Sequence, residues 1–138
     1  MDRPLESPHQ IVNPESLPTP SGFSHAVVAQ AGRTVYLAGQ TAQLPDGQIA
    51  GRTMDEQFDQ AAANVVKALE AAGADPKDLV SLQIFVTSIT EYGHARQAIG
   101  EIYRRHFGRH YPAMALHEVQ RLFDPAAKVE LMANAEMD

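Results

Sequence analysis

The sequence contains no cysteine, which excludes disulfide bonds, a thiolate nucleophile and any cysteine-ligated metal site. It also lacks an apolar run approaching the ~20 residues that a membrane-spanning helix requires. The N-terminus is polar and rich in proline, unlike the hydrophobic core of a secretion signal. We therefore expect a cytoplasmic protein without membrane contact. Its 138 residues suit one domain with a buried core.

Basic residues are few and scattered. Eleven Lys and Arg against seventeen Asp and Glu give a formal net charge of -6. Only Arg104 and Arg105 are adjacent, and we interpret this pair as a solvated helix end. A nucleic-acid partner is not expected, because phosphate binding needs a basic face. No glycine-rich phosphate loop or dinucleotide fingerprint is present, and we predict neither a metal nor a cofactor.

Proline is concentrated at the N-terminus, where residues 1–22 hold five of the nine prolines. Proline fixes φ and removes a backbone donor. We therefore predict an extended arm over residues 1–22, without regular secondary structure, followed by one domain over residues 23–138.

The rest of the chain alternates strand and helix patterns. Two β-rich runs around the turn Ala31-Gly32-Arg33 predict a hairpin. A capping box at Thr53 and Glu56 begins a helix that ends before Gly73. The predicted elements are strands at 26–30 and 34–38, a short strand or loop at Ile49, a helix between the caps Thr53 and Gly73, a strand at 80–87, a second helix at about 91–107, and strands near 113–119 and 128–135. This order predicts an α+β fold with two helices on one face of a mixed sheet. The opposite face needs cover, which favours oligomerisation.

Several short segments spread over residues 12–135 form a set with a specific order and spacing. They include Asn13-Pro14, Gly22-Phe23-Ser24-His25-Ala26-Val27, Val35-Tyr36-Leu37-Ala38-Gly39-Gln40, Phe85-Val86-Thr87, Tyr111-Pro112-Ala113, Glu118-Val119-Gln120-Arg121-Leu122 and Lys128-Val129-Glu130. Taken together, these segments resemble the RidA/YjgF family. The resemblance implies a chorismate-mutase-like α+β fold assembled as a homotrimer, with clefts between subunits. It also implies hydrolysis of reactive enamines and imines without a metal or cofactor.

The resemblance assigns candidate site residues and exposes one departure. Active members carry a carboxylate-binding arginine after Pro-Ala, where this chain has Met114. Strand alternation places Leu116 on the same side as Met114, so the cleft is expected to be more apolar than usual. The resemblance implies that Glu130 is the catalytic carboxylate. The other implied cleft residues are Gly39, Ala38, Phe23 and Tyr92.

Arginines elsewhere are possible substitutes for the missing one. Arg96 follows Tyr92 by one helical turn and is the best placed, whereas the resemblance implies a structural role for Arg121. Three functions remain open. The first is a divergent hydrolase of an enamine, imine or related small molecule. The second is a non-catalytic trimer that binds a small ligand as a sensor or carrier. The third, a ribonuclease or translation inhibitor, is disfavoured by the acidic charge.

Overall fold

The computed structural model of the chain describes residues 6–30 and 32–138. The first five residues of the predicted arm, and Ala31 of the predicted turn, lie outside the described residues. The strands are β1 (Gln10–Val12), β2 (Ala26–Val28), β3 (Arg33–Tyr36), β4 (Leu79–Val86), β5 (Ala113–Glu118) and β6 (Val129–Met137). The α-helices are α1 (Met54–Ala71), α2 (Ile89–His94) and α3 (Arg96–Phe107). None of the helices within these ranges is long and apolar enough to cross a membrane.

Four strands form a mixed sheet in the order β3-β6-β4-β5. Strand β4 runs parallel to β5 and antiparallel to β6, and α2 and α3 lie in the crossover between β4 and β5. Alternate residues of β4 and β6 face the helices and are buried in one core with α1 and α3. They are Leu82, Ile84, Val86, Val129, Leu131, Ala133 and Ala135. The predicted α+β fold with a mixed sheet is confirmed.

Helix α1 begins and ends as its sequence predicts. The Thr53 side chain accepts a hydrogen bond from the Glu56 amide, while the Glu56 carboxylate accepts one from the Thr53 amide. At the other end Gly73 has φ +87°, and the amide of Ala74 donates to the Leu69 carbonyl at 2.9 Å. This arrangement is a Schellman cap, which needs a residue that tolerates positive φ.

The single helix predicted over 91–107 is wrong, because the structure divides it into α2 and α3 at Ala95. Ser88 caps α2, and Ala95 leaves helical geometry at φ -96° and ψ 6°. Gly93 weakens the helix just before the break. The division leaves Tyr92 on the shorter helix, where its ring packs edge-on against Phe58 of α1.

The predicted hairpin between 26–30 and 34–38 is also wrong. Strand β2 pairs with β1 in a separate two-stranded sheet, whereas β3 pairs with β6. The expectation of an arm without regular structure therefore fails at β1. This strand fits between Pro8 and Pro14, so no proline interrupts its ladder.

The sheet face opposite the helices is open in the single chain. It carries Tyr36, which is 78% exposed, and Met132, which is 43% exposed. Phe85 lies on the same face and stacks on His117 with ring centroids 5.1 Å apart. Apolar groups on an open face are the feature from which the sequence predicted oligomerisation.

Candidate functional site

Strand β5 forms one edge of the sheet and places Met114 beside the helices. Met114 pairs in register with Leu82, and Leu116 pairs with Ile84, so both side chains point to the helix-covered face. Met114 is half-buried and packs against the core, while Leu116 is more exposed towards the strand's end. The predicted sharing of one side by Met114 and Leu116 is confirmed.

A cleft lies between this part of β5 and helices α2 and α3. Its main cavity has a volume of about 500 Å³, and a smaller lobe of about 250 Å³ extends towards Leu116. Residues lining the main cavity are Ser21, Gly22, Ile84, Tyr92, Arg96, Ile99, Gly100, Tyr103, Arg104, Tyr111 and Met114. Phe23 and Ala115 join Leu116 in the smaller lobe. We call this space the Met114 cleft.

Aromatic rings form one wall of the Met114 cleft. Tyr103 and Tyr111 are stacked, with ring centroids 5.2 Å apart and planes inclined by 13°. The Tyr103 hydroxyl donates to the His110 carbonyl at 2.7 Å, which fixes this ring. Burial raises the pKa of both Tyr103 and Tyr92, because the phenolate form is costly away from water. These phenols are therefore neutral, and the wall offers flat apolar surface.

Residues 21–24 close the cleft on its outer side. The Ser24 amide donates to the Pro112 carbonyl at 3.1 Å, and its hydroxyl donates to the Tyr111 carbonyl at 2.5 Å. Ser24 thereby forms an isolated β-bridge beside Ala113, the first residue of β5, and Phe23 lies at the rim of the cleft. The ring of His25 meets Phe23 edge-on and is hydrogen-bonded to the Pro18 carbonyl, so His25 supports the rim.

Two arginines of α3 line the main cavity. Arg96 is one of them, as its position one turn after Tyr92 suggested. The other is Arg104, which sequence reasoning assigned to a solvated helix end together with Arg105. Arg104 does lie in the last turn of α3, but it also borders the cleft, whereas Arg105 pairs with Asp59 at 2.9 Å. The missed signal was the spacing of Arg96 and Arg104, which are eight residues apart and so lie close to one helix face.

Glu130 and Gly39 contact each other on the other side of the sheet. Glu130 pairs in register with Phe85, whereas its neighbour Leu131 faces the core, so the carboxylate lies on the open face. Gln40 and Leu131 exchange two backbone hydrogen bonds of 2.7 and 2.8 Å, which bring Gly39 beside Glu130. A Cβ on Gly39 would overlap the Glu130 carboxylate. Gly39 therefore leaves the space that this carboxylate fills.

The candidate residues thus form two groups within the single chain. Those in the Met114 cleft are Met114, Leu116, Phe23, Tyr92 and Arg96. Glu130 and Gly39 form the second group on the open face, and Ala38 is the exposed residue that precedes Gly39. The sheet separates the groups, so the fold of the single chain does not bring Glu130 to Met114. Arg121 belongs to neither group, since its guanidinium donates to the carbonyls of its own loop.

Two sequence spacings typical of metal ligands occur in the chain, but the structure uses their residues otherwise. Glu91 of Glu91-Tyr92-Gly93-His94 binds Lys128 at 2.8 Å. The second spacing is that of His106 and His110. The ring of His106 is hydrogen-bonded to Asp59, and the buried ring of His110 is hydrogen-bonded to the Leu79 carbonyl. Across residues 6–30 and 32–138, no three His, Asp or Glu side chains are grouped closely enough to hold a metal ion.

A mixed sheet with helices on one face and a cleft at its parallel edge define the class as a small α+β protein. The profile of the family described as Endoribonuclease L-PSP matches residues 14–137. The chain therefore belongs to the RidA/YjgF/L-PSP family.

Named relatives support this assignment. The 2-iminobutanoate/2-iminopropanoate deaminase of Homo sapiens is 30% identical over 114 residues, covering 82% of this chain and 78% of the relative. A protein of the same name from Dermatophagoides farinae is 32% identical over 128 residues, covering 91% and 94%. The crystal structure of YyfB, a Rid-family protein of unknown function from Yersinia pestis, superposes with a TM-score of 0.81. It is 34% identical and covers 94% of this chain and 98% of that one.

Proposed function

We propose that this chain is a homotrimeric hydrolase of imines or enamines whose substrates are larger and more apolar than 2-iminopropanoate. The observation that carries the proposal is the pairing of Glu130 with Gly39 on the open face, together with an aromatic cleft at the sheet edge. The named relatives are 2-iminobutanoate/2-iminopropanoate deaminases, which makes C=N hydrolysis the chemistry to test first.

Imine hydrolysis needs a base beside the reacting carbon. Water adds to the C=N carbon and transfers a proton to the base, and the resulting carbinolamine loses ammonia to leave a carbonyl group. Glu130 has the right chemistry to take the water proton and return it to the departing nitrogen. An enamine enters the same sequence after protonation of its β carbon gives the imine. Gly39 supports this role because it leaves the carboxylate room to lie against the backbone.

A trimer is proposed because neither group of site residues forms a complete site within one subunit. Strand β5 is an edge strand, and the open face with Tyr36 and Met132 needs cover. If the β5 edge of one subunit packs against the open face of a second, Glu130 of the second subunit enters the Met114 cleft of the first. Such a head-to-tail contact closes into a ring when the rotation between subunits is one third of a turn.

Met114 argues against the reaction named for the relatives. A thioether offers no donor to a carboxylate, whereas arginine provides a bidentate, charged contact. The lost contact with a buried carboxylate is worth about 3–5 kcal/mol. We therefore expect this chain to hydrolyse 2-iminopropanoate slowly.

The test compares imines generated in place by oxidases from alanine, leucine and 2-phenylethylamine, with ammonia release as the readout. We expect the largest acceleration for the imine of 2-phenylethylamine and the smallest for that of alanine. Glu130→Gln removes the acceleration, and Glu136→Gln, on the same strand and face, is the matched control. Rapid turnover of the alanine-derived imine by the unaltered protein would contradict the proposed change of substrate.

A second candidate is a non-catalytic trimer that binds a small apolar or aromatic ligand as a sensor or carrier. Met114 and Leu116 beside the stacked Tyr103 and Tyr111 favour it, because these groups bind flat apolar molecules without taking part in chemistry. This candidate predicts no ammonia release from any of the three imines. It also predicts that 2-phenylethanol binds equally well to the unaltered protein and to Glu130→Gln.

A further inference from the structure

Helix α3 presents a row of three residues to the Met114 cleft, namely Arg96, Gly100 and Arg104. Residues four apart lie on the same side of a helix, so the row follows the helix axis. The side chain of Arg104 runs back along this row, and its Nη1 atom is 3.5 Å from the position that a Cβ on Gly100 would occupy. Because Gly100 has no side chain, the Arg104 guanidinium lies near the helix surface at this position, one turn closer to Arg96.

Two acidic side chains on the helices beside α3 already have partners. Asp59 binds Arg105 and His106, and Glu91 binds Lys128 with both carboxylate oxygens. In the part of the chain that the structure describes, no hydrogen bond or ion pair joins the side chain of Arg96 or Arg104 to an acceptor. The cleft is therefore lined by two guanidinium groups that are not ion-paired, in a protein whose formal net charge is -6.

Compared with a cleft that has arginine at position 114, the positive charge of this cleft lies on the helix side instead of on β5. Met114, on the strand side, offers no donor, while both arginines lie on the helix side. Flat aromatic surfaces, including the Tyr103–Tyr111 stack, line the same cleft. A ligand that satisfies all three features has an apolar or aromatic body and an anionic group at the end nearest α3.

We propose that the Met114 cleft takes an elongated apolar or aromatic substrate with a carboxylate remote from its reactive carbon, and that Arg96 and Arg104 hold this carboxylate. The inference rests on the proposed function for the reactive end of the molecule, but its anion-binding part needs no turnover. It differs from binding of a 2-imino acid, whose carboxylate is attached directly to the reacting carbon.

The experiment measures binding with a matched pair of probes, 4-phenylbutanoate and 4-phenylbutanamide, by isothermal titration calorimetry. The two probes share one shape and differ in charge. We expect the carboxylate to bind the unaltered protein at least about tenfold more tightly, since a charge-assisted hydrogen bond contributes about 1.5–3 kcal/mol. The preference weakens as salt is added, because the arginines are partly exposed.

Variants assign the preference to α3. Arg104→Gln and Arg96→Gln each reduce binding of 4-phenylbutanoate by roughly tenfold and leave that of the amide unchanged. Arg105→Gln is the matched control, because Arg105 is the next residue and faces Asp59. Arg104→Lys keeps the charge and retains part of the preference, so it reports on the site even if the glutamine variant is unstable.

Equal binding of the two probes to the unaltered protein overturns this inference, as does an equal loss of preference in Arg105→Gln. The outcome is separable from that of the proposed hydrolysis. A charge preference without turnover of any imine removes the hydrolase and leaves the anion site. Turnover of an imine without a charge preference removes the anion site and leaves the proposed hydrolase.

Discussion

The contact between Gly39 and Glu130 allows one substitution to test the proposed catalytic role of Glu130. In Gly39→Ala the new Cβ would lie 2.7 Å from the Glu130 carboxyl carbon. Non-bonded carbon atoms prefer separations of about 3.5–4.0 Å, so the carboxyl group must retreat by about 1 Å. Since the obstacle meets the end of a flexible side chain, the backbone has no need to move.

The expected result is a loss of activity without a loss of stability. A misplacement of about 1 Å can reduce catalysis by roughly 100-fold, so we expect kcat/KM for the best imine substrate to fall by about that factor. The free energy of unfolding changes by less than about 1 kcal/mol, because exchanging Gly for Ala mainly alters the unfolded chain. Ammonia release and urea denaturation measure the two quantities.

A matched glycine provides the control. A Cβ on Gly32 meets no atom within 4 Å, so Gly32→Ala keeps full activity. In the absence of the carboxylate the alanine has nothing to displace, so Gly39→Ala adds no further loss to Glu130→Ala. The reasoning is refuted if Gly39→Ala remains as active as the unaltered protein while Glu130→Gln is inactive.

Three further predictions concern stability and assembly. Thr53→Ala removes the side-chain acceptor of the α1 cap and lowers the free energy of unfolding by about 1 kcal/mol, measured in urea. Burial lowers the pKa of His110, so its contribution to stability is present above the unfolded value of about 6.5 and is lost as the pH falls through the folded pKa. Urea midpoints therefore decrease on acidification, and His110→Gln reduces that decrease. Met132→Glu charges the open sheet face and shifts the proposed trimer to monomer in light scattering, whereas Gln97→Glu on α3 does not.

Local signals in the sequence predicted the parts of the fold whose causes are local. The α1 boundaries follow from Thr53, Glu56 and Gly73, which act within a few residues of themselves. Strand partners do not have local causes. The run that became β3 finds its partner β6 about a hundred residues later, and β2 pairs backwards with β1. Alternation shows that a segment is a strand, but it does not show which strand lies beside it.

The same distinction explains the site. Alternation within β5 correctly placed Met114 and Leu116 on one side. Whether Met114 and Glu130 share a face depends on how β4 pairs with β5 and with β6. These two registers put the residues on opposite faces of the sheet. The position of Arg104 in the cleft was missed because it depends on how α3 is rotated against the sheet. Its neighbour Arg105 has the same chemistry and the same local sequence, yet it faces Asp59.

The separation of Met114 and Glu130 by the sheet has a genetic consequence. In the proposed trimer each cleft combines the Met114 side of one subunit with the Glu130 side of another. A Glu130→Gln subunit and a subunit whose cleft is blocked, such as Leu116→Trp, are each inactive as pure trimers. Every trimer that contains both kinds has one cleft built from two unaltered halves. Two defective alleles expressed together should therefore restore activity that neither provides alone.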